Sequence, residues 1–360
     1  MQGAVTHLLD ARSTAQEIRE RFAMAFEEFD RNLPTLIMGH HDVDGLAAMA
    51  ILIRAFQAAG RAVVSRIVGR AENVWSKAMM DELRDIELGG VIAADLGVRQ
   101  GSIKTGTPTI VIDHHVPTGI PTAATVITGY GLQPVPTSSL LAYWCSQELA
   151  DVERWVWIPA LGLIGDMADR DGFLELAVAR ERYGITTLRE ATSLLNAPRR
   201  SASGNASAAL TLLLKSESPK EIISGQHAET ETLLAAREEV KRALDAAKRL
   251  PPRIRNSVDL ILLDSPCQIH PLIAQSWRGR LRKTIVLAAN TGYRPGWIHF
   301  SVRSALDIDL VEFLAKHAPA GADENYGSGH PQATGGALSP ADWNALITDL
   351  GFGSQKQVQV

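Results

Sequence analysis

Residues 35–45 read Thr35-Leu36-Ile37-Met38-Gly39-His40-His41-Asp42-Val43-Asp44-Gly45, an apolar run that ends in two imidazoles and two carboxylates. The β-type residues 35–38 predict a short strand, and the apolar stretch over residues 46–59 predicts the helix that follows it. A strand feeding a helix through a polar loop opens an α/β fold, and open α/β sheets bind ligands at the carboxyl edge of their strands. Asp42 and Asp44 fall at that edge. Taken alone, they have an ordinary alternative use as caps of the helix and its preceding turn.

The pattern continues outward. Residues 63–68, 91–94 and 109–112 are further apolar runs separated by helical stretches, which predicts a parallel sheet covered on both faces. Helices are expected over 138–149 and 156–163. Residues 196–210 are rich in turn formers and read as an exposed connection. A helix is expected over 228–250, with Leu233, Val240, Leu244 and Ala247 on one face, stopped by Pro251-Pro252. A second α/β unit follows, with strands over 258–263, 284–289 and 297–302 and helices over 271–282 and 307–317. Ser339-Pro340 starts a last helix. The organisation expected is a parallel-sheet domain over 1–195, a linker with a long helix over 196–255, a smaller α/β domain over 256–353 and a tail over 354–360; 360 residues suffice for two cores.

A net charge of −4 excludes the global basic field of a protein that tracks along duplex DNA. Contact with nucleic acid would come from a local patch, which favours short or single-stranded partners. Arg278, Arg280, Arg282 and Lys283 read as a solvated helix face rather than a nucleic-acid track, and Trp155 and Trp157 as core. Cys145 and Cys267 sit in apolar company and read as buried, reduced thiols. The first 21 residues are broken by charges, and the apolar run 46–53 is far short of the ~20 residues that cross a bilayer. No membrane contact and a cytoplasmic location are the expectation. The sequence fixes no oligomeric state; a homodimer is compatible with it.

Three further segments decide the role of the first loop. Asp95 follows the run 91–94, Asp113-His114-His115 follow 109–112, and Asp166 follows Leu163-Ile164-Gly165. Each places an acid or imidazole directly after an apolar run, so the groups should meet at strand ends along one sheet edge. Carboxylates that close repel one another unless cations neutralise them. Mixed carboxylate and imidazole ligands suit Mn²⁺ best, with Mg²⁺ or Zn²⁺ as alternatives.

In this order His40-x-Asp42-x-Asp44-Gly45, Asp95, Asp113-His114-His115 and Gly165-Asp166 resemble the four motifs of the DHH phosphoesterase superfamily. That group includes RecJ-type exonucleases, oligoribonucleases that also dephosphorylate adenosine bisphosphate, cyclic-dinucleotide phosphodiesterases and manganese pyrophosphatases. Asn196-Ala197-Pro198-Arg199 is similar to an Asn-Ala…Arg segment of RecJ-like members. Ser301-Val302-Arg303-Ser304 and Gly327-Ser328-Gly329-His330, with Gly335-Gly336 beyond, look like the second-domain signature called DHHA1. The resemblance covers roughly residues 35–350. It implies an active site in a cleft between a DHH and a DHHA1 domain, and two divalent cations. Asp42 would hold one cation with His40 as an additional ligand. Asp44, His114 and Asp166 would hold the other, and Asp95 would bridge. His115 would face the substrate phosphate and Asp113 would orient the imidazoles. His40 is separated from Asp42 by one residue, whereas the pyrophosphatases have three, which disfavours that activity.

Two cations that share a water activate it toward phosphorus and neutralise the phosphoryl oxygens, so no covalent nucleophile is required. Arg303 suits bidentate phosphate contact, the glycines Gly327 and Gly329 let backbone amides approach an anion, and Ser301, His330, Asn196 and Arg199 complete the expected substrate contacts. The ordinary alternatives are a surface ion pair for Arg303, a solvated loop for His330 and a plain turn for the glycines. The expected reaction is hydrolysis of short single-stranded RNA or DNA to nucleoside monophosphates. After Gly335-Gly336 the sequence holds too few residues for an oligonucleotide-binding barrel, which argues for short substrates. The alternatives are a RecJ-like 5′ single-strand exonuclease, a phosphoesterase of adenosine bisphosphate or cyclic dinucleotides, and a non-enzymatic nucleic-acid-binding module. The last requires eroded ligands, and Asp42, Asp44, Asp95, His114 and Asp166 are all present.

Overall fold

The chain begins with helix α1 (Gln2–Phe26) and continues through β1 (Thr35–His40), α2 (Val43–Ala58), β2 (Val63–Val68), α3 (Lys77–Leu83), β3 (Gly90–Ala94), β4 (Thr109–Asp113) and β5 (Ala124–Thr128). Helices α4 (Ser138–Ser146), α5 (Trp157–Gly165), α6 (Leu174–Tyr183), α7 (Ile185–Leu195), α8 (Ala197–Arg200), α9 (Ser207–Lys215), α10 (Pro219–Ser224) and α11 (Ala228–Ala247) follow. The computed structural model describes residues 2–70, 72–322 and 326–353, without the side chains of 2–13 and of Ser328. The expected tail over 354–360 lies outside the described residues. The chain divides into two compact units, one holding the residues up to Arg199 with Gly204–Leu234, the other Arg200–Ser203 and the residues from Ala235 onward.

The first unit is built on a five-stranded, all-parallel sheet in the order β2-β1-β3-β4-β5. Side chains alternate faces along a strand. Ile37 accordingly joins Ile92, Ile110 and α2 on one side, while Leu36 and Met38 join Val91, Met79 and Leu83 on the other. Burial on both faces is why these strands read as unbroken apolar runs. Helix α2 is buried over nearly its whole length and packs on α4, α5 and α9. Its one buried cation, Arg54, is satisfied by the carbonyls of Leu213 and Ser216 and by Glu217. Strand order reverses at β1, which has β2 on one side and β3 on the other. The crevice at such a switch point opens at the carboxyl ends of the strands, and here it opens between the residues following β1 and β3.

The second unit contains β6 (Arg253–Arg255), β7 (Val258–Leu263), α12 (His270–Arg278), β8 (Ile285–Arg294), β9 (Trp297–Ser304), α13 (Leu310–Lys316), β10 (Ser328–His330), β11 (Ala333–Leu338) and α14 (Pro340–Asp349). Its mixed sheet runs β10-β11-β9-β8-β7-β6, with only β7 and β8 parallel. Leu287, Phe300 and Val302 pack under Trp343 and Leu346 of α14 on one face. Val286 and Ala288 pack under Ile273 and Ala274 of α12 on the other. Ser339 caps α14 through the amide of Asp342, and Trp155, Trp157, Cys145 and Cys267 are buried. Among the described residues no helix is long and apolar enough to cross a membrane.

Several local expectations are corrected. Residues 196–210 are not a plain exposed connection: they form α8 and the start of α9, with Ala197, Pro198 and Ser201 buried. Proline in a first helical turn starts a helix as readily as it marks a loop. The strand β5 went unread because it is short and only partly buried. Asp44 lies in the first turn of α2 rather than in the loop before it. Asp166 caps the end of α5, the helix expected over 156–163, so it reaches the edge from a helix end rather than from a strand end. Arg278 is half-buried, its Nε donating to the Ser304 carbonyl at 2.6 Å, while Arg280, Arg282 and Lys283 are exposed as expected.

Candidate metal centre

Parallel register sets the ends of β1, β3 and β4 at one level, since Gly39 pairs with Ala94 and Ala94 with Ile112. His40, Asp95 and Asp113 therefore leave the same edge. Asp95 has φ 63°, a left-handed backbone that few residues other than glycine adopt and that Asp tolerates better than most. It turns the chain out of the sheet at once. On the other side of the crevice, Asp42 caps α2 through the amide of Gly45. A Cβ on Gly45 would lie 2.5 Å from the His40 carbonyl oxygen, so the loop closes only with glycine there.

The ligand-bearing atoms gather in three groupings, each with its atoms within 4.8 Å of one another: His40, Asp42 and Asp95; Asp95, His114 and His115; Asp44, His114 and Asp166. Asp95 and His114 each belong to two of them. His40 Nδ1 stands 3.0 Å from Asp42 Oδ2 and 3.7 Å from Asp95 Oδ2. His114 Nε2 stands 3.2 Å from Asp166 Oδ2 and 3.7 Å from Asp95 Oδ1. His115 Nδ1 contacts Asp113 Oδ1 at 3.1 Å, and the fully buried Asp113 also accepts from the amides of His115 and Gly97.

The charges explain what this arrangement requires. Burial, followed by the charges of Asp42 and Asp44, pushes Asp95 well above the usual carboxylate range. Burial and the same two aspartates push Asp166 up to about 8, and burial raises Asp44. Burial also opposes ionisation of Asp42, yet His40 and Arg199 outweigh it and hold that carboxyl low. Burial lowers His114 and takes His41 down to about 3, whereas the hydrogen bond to Asp113 raises His115 to about 9. Three carboxyls that resist ionisation, interleaved with imidazoles whose nitrogens converge on the same space, are the donor set of a divalent-cation centre. The residues fit the cations that the motifs imply.

Asn196 and Arg199 lie at the same edge. Asn196 Oδ1 accepts from the Val43 amide at 3.0 Å, and Arg199 Nη1 lies 2.6 Å from Asp42 Oδ2. The remaining expected residues belong to the second unit and form a grouping of their own. There Ala333 pairs with Arg303, and Gly335 pairs with both Ser301 and Ser328. Arg303 Nη1 donates to the carbonyls of Val302 and Thr334, and Arg303 makes no ion pair among the described residues. Gly327 and Gly329 have φ of 72° and 133°, and His330 is exposed.

Reasoning from the sequence missed the groups that hold the carboxylates. The amides of Ser138 and Ser139 donate to Asp44 at 2.8 and 3.2 Å, so the N-terminus of α4 faces that carboxylate. Ser138 Oγ donates to Asp95 at 3.0 Å. Gly162 makes room, since a Cβ there would lie 2.2 Å from Asp44 Oδ1 and 2.0 Å from Ser139 Oγ. Arg70 fixes the Arg199 carbonyl at 3.1 Å. The only advance signal was Thr137-Ser138-Ser139 at the start of an expected helix.

Residues 34–157 match the model of the DHH family, N-terminal domain. Over most of its length the chain is similar to RecJ. It is 26% identical over 368 aligned residues to the single-stranded-DNA-specific exonuclease RecJ of Thermus thermophilus, covering 90% of this chain and 52% of the relative, and so spans about half of that protein's length. The crystal structure of RecJ with Mn²⁺ from the same organism superposes with a TM-score of 0.67 at 20% identity, over 92% of this chain and 54% of the other. A second structure, of exonuclease RecJ bound to manganese, gives 0.64 at 21% identity, over 92% of this chain and 93% of the other.

Proposed function

We propose that the chain is a divalent-cation-dependent phosphodiesterase that hydrolyses short single-stranded oligonucleotides to nucleoside monophosphates. The carrying observation is the sharing of Asp95 and His114 among three ligand groupings at one sheet edge. In this reading His40, Asp42 and Asp95 hold one cation, Asp44, His114 and Asp166 hold a second, and Asp95 lies between. Such a pair, with Mn²⁺ the preferred ion and Mg²⁺ the alternative, supplies an activated water and neutralises charge on the phosphoryl oxygens. The chain's own residues then position the reacting groups. His115, tied through Nδ1 to Asp113, keeps its other nitrogen for a phosphate oxygen. Arg199 and Asn196 border the same space, and within the second unit Arg303, Ser301, His330 and the Gly327–Gly329 turn are assigned to phosphate contact. Acidic net charge supports short over long substrates, and two sparse buried thiols suit a cytoplasmic setting.

A second reading, a single-stranded DNA exonuclease, is favoured by the likeness to RecJ over 90% of this chain. One panel separates the readings: purified protein with Mn²⁺ on dinucleotides, pentamers and 30-mers of DNA and RNA, with adenosine bisphosphate, cyclic dinucleotides and pyrophosphate beside them. Preference for two- to five-mers is expected. Equal turnover of the 30-mer of DNA selects the exonuclease, and turnover of none of the nucleic acids removes both readings.

A further inference from the structure

Beyond Asp166 the first unit forms a recess that none of the metal groupings uses. A cavity of about 810 Å³ lies among Asp169, Arg170, Phe173, Arg180, Ile185 and Arg189. Its size falls in the ~300–1,000 Å³ range of ligand pockets. Asp169 stands three residues after Asp166, so the loop that carries a metal-centre carboxylate also forms the wall of the cavity.

The lining is two-sided in character. Leu176 is buried, and Phe173 and Ile185 are half-buried, giving an apolar floor. Arg189 is tied to Asp169 at 2.7 Å. Arg170 and Arg180 are exposed, and their guanidiniums make no hydrogen bond or ion pair among the described residues. Glu181 is the remaining acid of the lining, so the cavity carries a surplus of positive charge in a chain whose net charge is −4.

Free guanidiniums beside an aromatic surface match a nucleic-acid single strand, which offers phosphates and base faces together. We propose that this cavity is a subsite for the stretch of single strand next to the scissile phosphate, with Arg170 and Arg180 on backbone phosphates and Phe173 against a base. The assignment rests on the phosphodiesterase reading and deepens it by naming where the rest of the substrate lies.

The test uses the full chain and a fluorescent hexathymidylate, with anisotropy measured in Ca²⁺ over a salt series and hydrolysis measured in Mn²⁺ beside a dinucleotide. In the Arg170→Gln/Arg180→Gln variant the hexamer Kd should weaken by roughly tenfold, and the slope of log K against log salt should fall by about 1.4, for two lost phosphate contacts on a single strand. The hexamer KM should rise by several times more than the dinucleotide KM. An unchanged Kd and salt slope in folded double variant overturns the subsite. Wild-type binding without hydrolysis overturns the phosphodiesterase reading instead, and leaves the anisotropy comparison to decide the cavity.

Discussion

Arg199 Nη1 lies 2.6 Å from Asp42 Oδ2, so a fixed positive charge stands beside a carboxylate that also belongs to the His40 grouping. A guanidinium there neutralises Asp42 without a cation and competes with one. Arg199→Gln should therefore tighten Mn²⁺ binding in the absence of substrate, by a fewfold in calorimetry, while substrate KM rises by roughly tenfold. Weaker Mn²⁺ binding in that variant would show that Arg199 organises Asp42 more than it opposes the cation.

Asp95 joins two ligand groupings, and Asn at that position keeps the shape but loses the charge. Asp95→Asn should lower kcat by about 10³-fold or more with an unchanged circular-dichroism spectrum, since charge stabilisation at a phosphoryl centre carries that much of the barrier. Bound Mn²⁺ per chain, measured by equilibrium dialysis, should fall as well. Near-normal turnover would remove Asp95 from the centre.

Ser138 reaches Asp95 with its hydroxyl and Asp44 with its amide. Alanine removes only the first. Ser138→Ala should weaken cation affinity by roughly tenfold, as loss of an outer hydrogen bond to a ligand does, and Mn²⁺ titration of kcat should show that turnover recovers at high metal.

Gly162 sits in α5 facing Asp44 and Ser139, where a Cβ would fall at 2.2 and 2.0 Å from their oxygens. Alanine in a helix ordinarily stabilises by about 0.5–1 kcal/mol relative to glycine. Overpacking a close-packed interior costs about 1–3 kcal/mol and wins. Gly162→Ala should thus lower stability in urea denaturation and disturb the Asp44 grouping at the same time.

Between pH 7 and 9.5 the metal-free protein should lose stability as pH rises. Asp166, pushed up to about 8, and His115, raised to about 9, both bind protons more tightly folded than unfolded. The stabilisation each contributes is present at low pH and is lost as pH passes its folded value. His41 and His114 are lowered and are already neutral in both states above pH 7.5, and Asp42 and Asp113 are already ionised, so they add no slope. Melting curves in chelator should show Tm falling across this window, and saturating Mn²⁺ should flatten the trend. A Tm that rises in chelator contradicts the charge assignment.

What could be read in advance follows from burial. β1, β3 and β4 are covered on both faces and announce themselves as apolar runs, and the acids after them mark the sheet edge. The helix before Asp166, α5, was legible from its apolar run, whereas its convergence on the strand ends was not, because a helix end carries no sheet register in the sequence. Residues 196–210 looked like a loop because Asn, Pro and Ser serve both turns and helix starts, which hid how Arg199 reaches Asp42. The support for Asp44 was illegible for a simpler reason: its donors are main-chain amides, which carry no residue signature.

The residues that meet at the sheet edge are drawn from positions 40 to 199, a span of 160 residues in a chain of 360. Contacts so distant along the polypeptide form late, after the loops between them have closed. A partly folded chain that lacks either the turn at Asp95 or the end of α5 owns no complete set of donors. Cation uptake is thereby deferred until the last of these loops has docked, which keeps the ion from trapping the polypeptide around an unfinished edge.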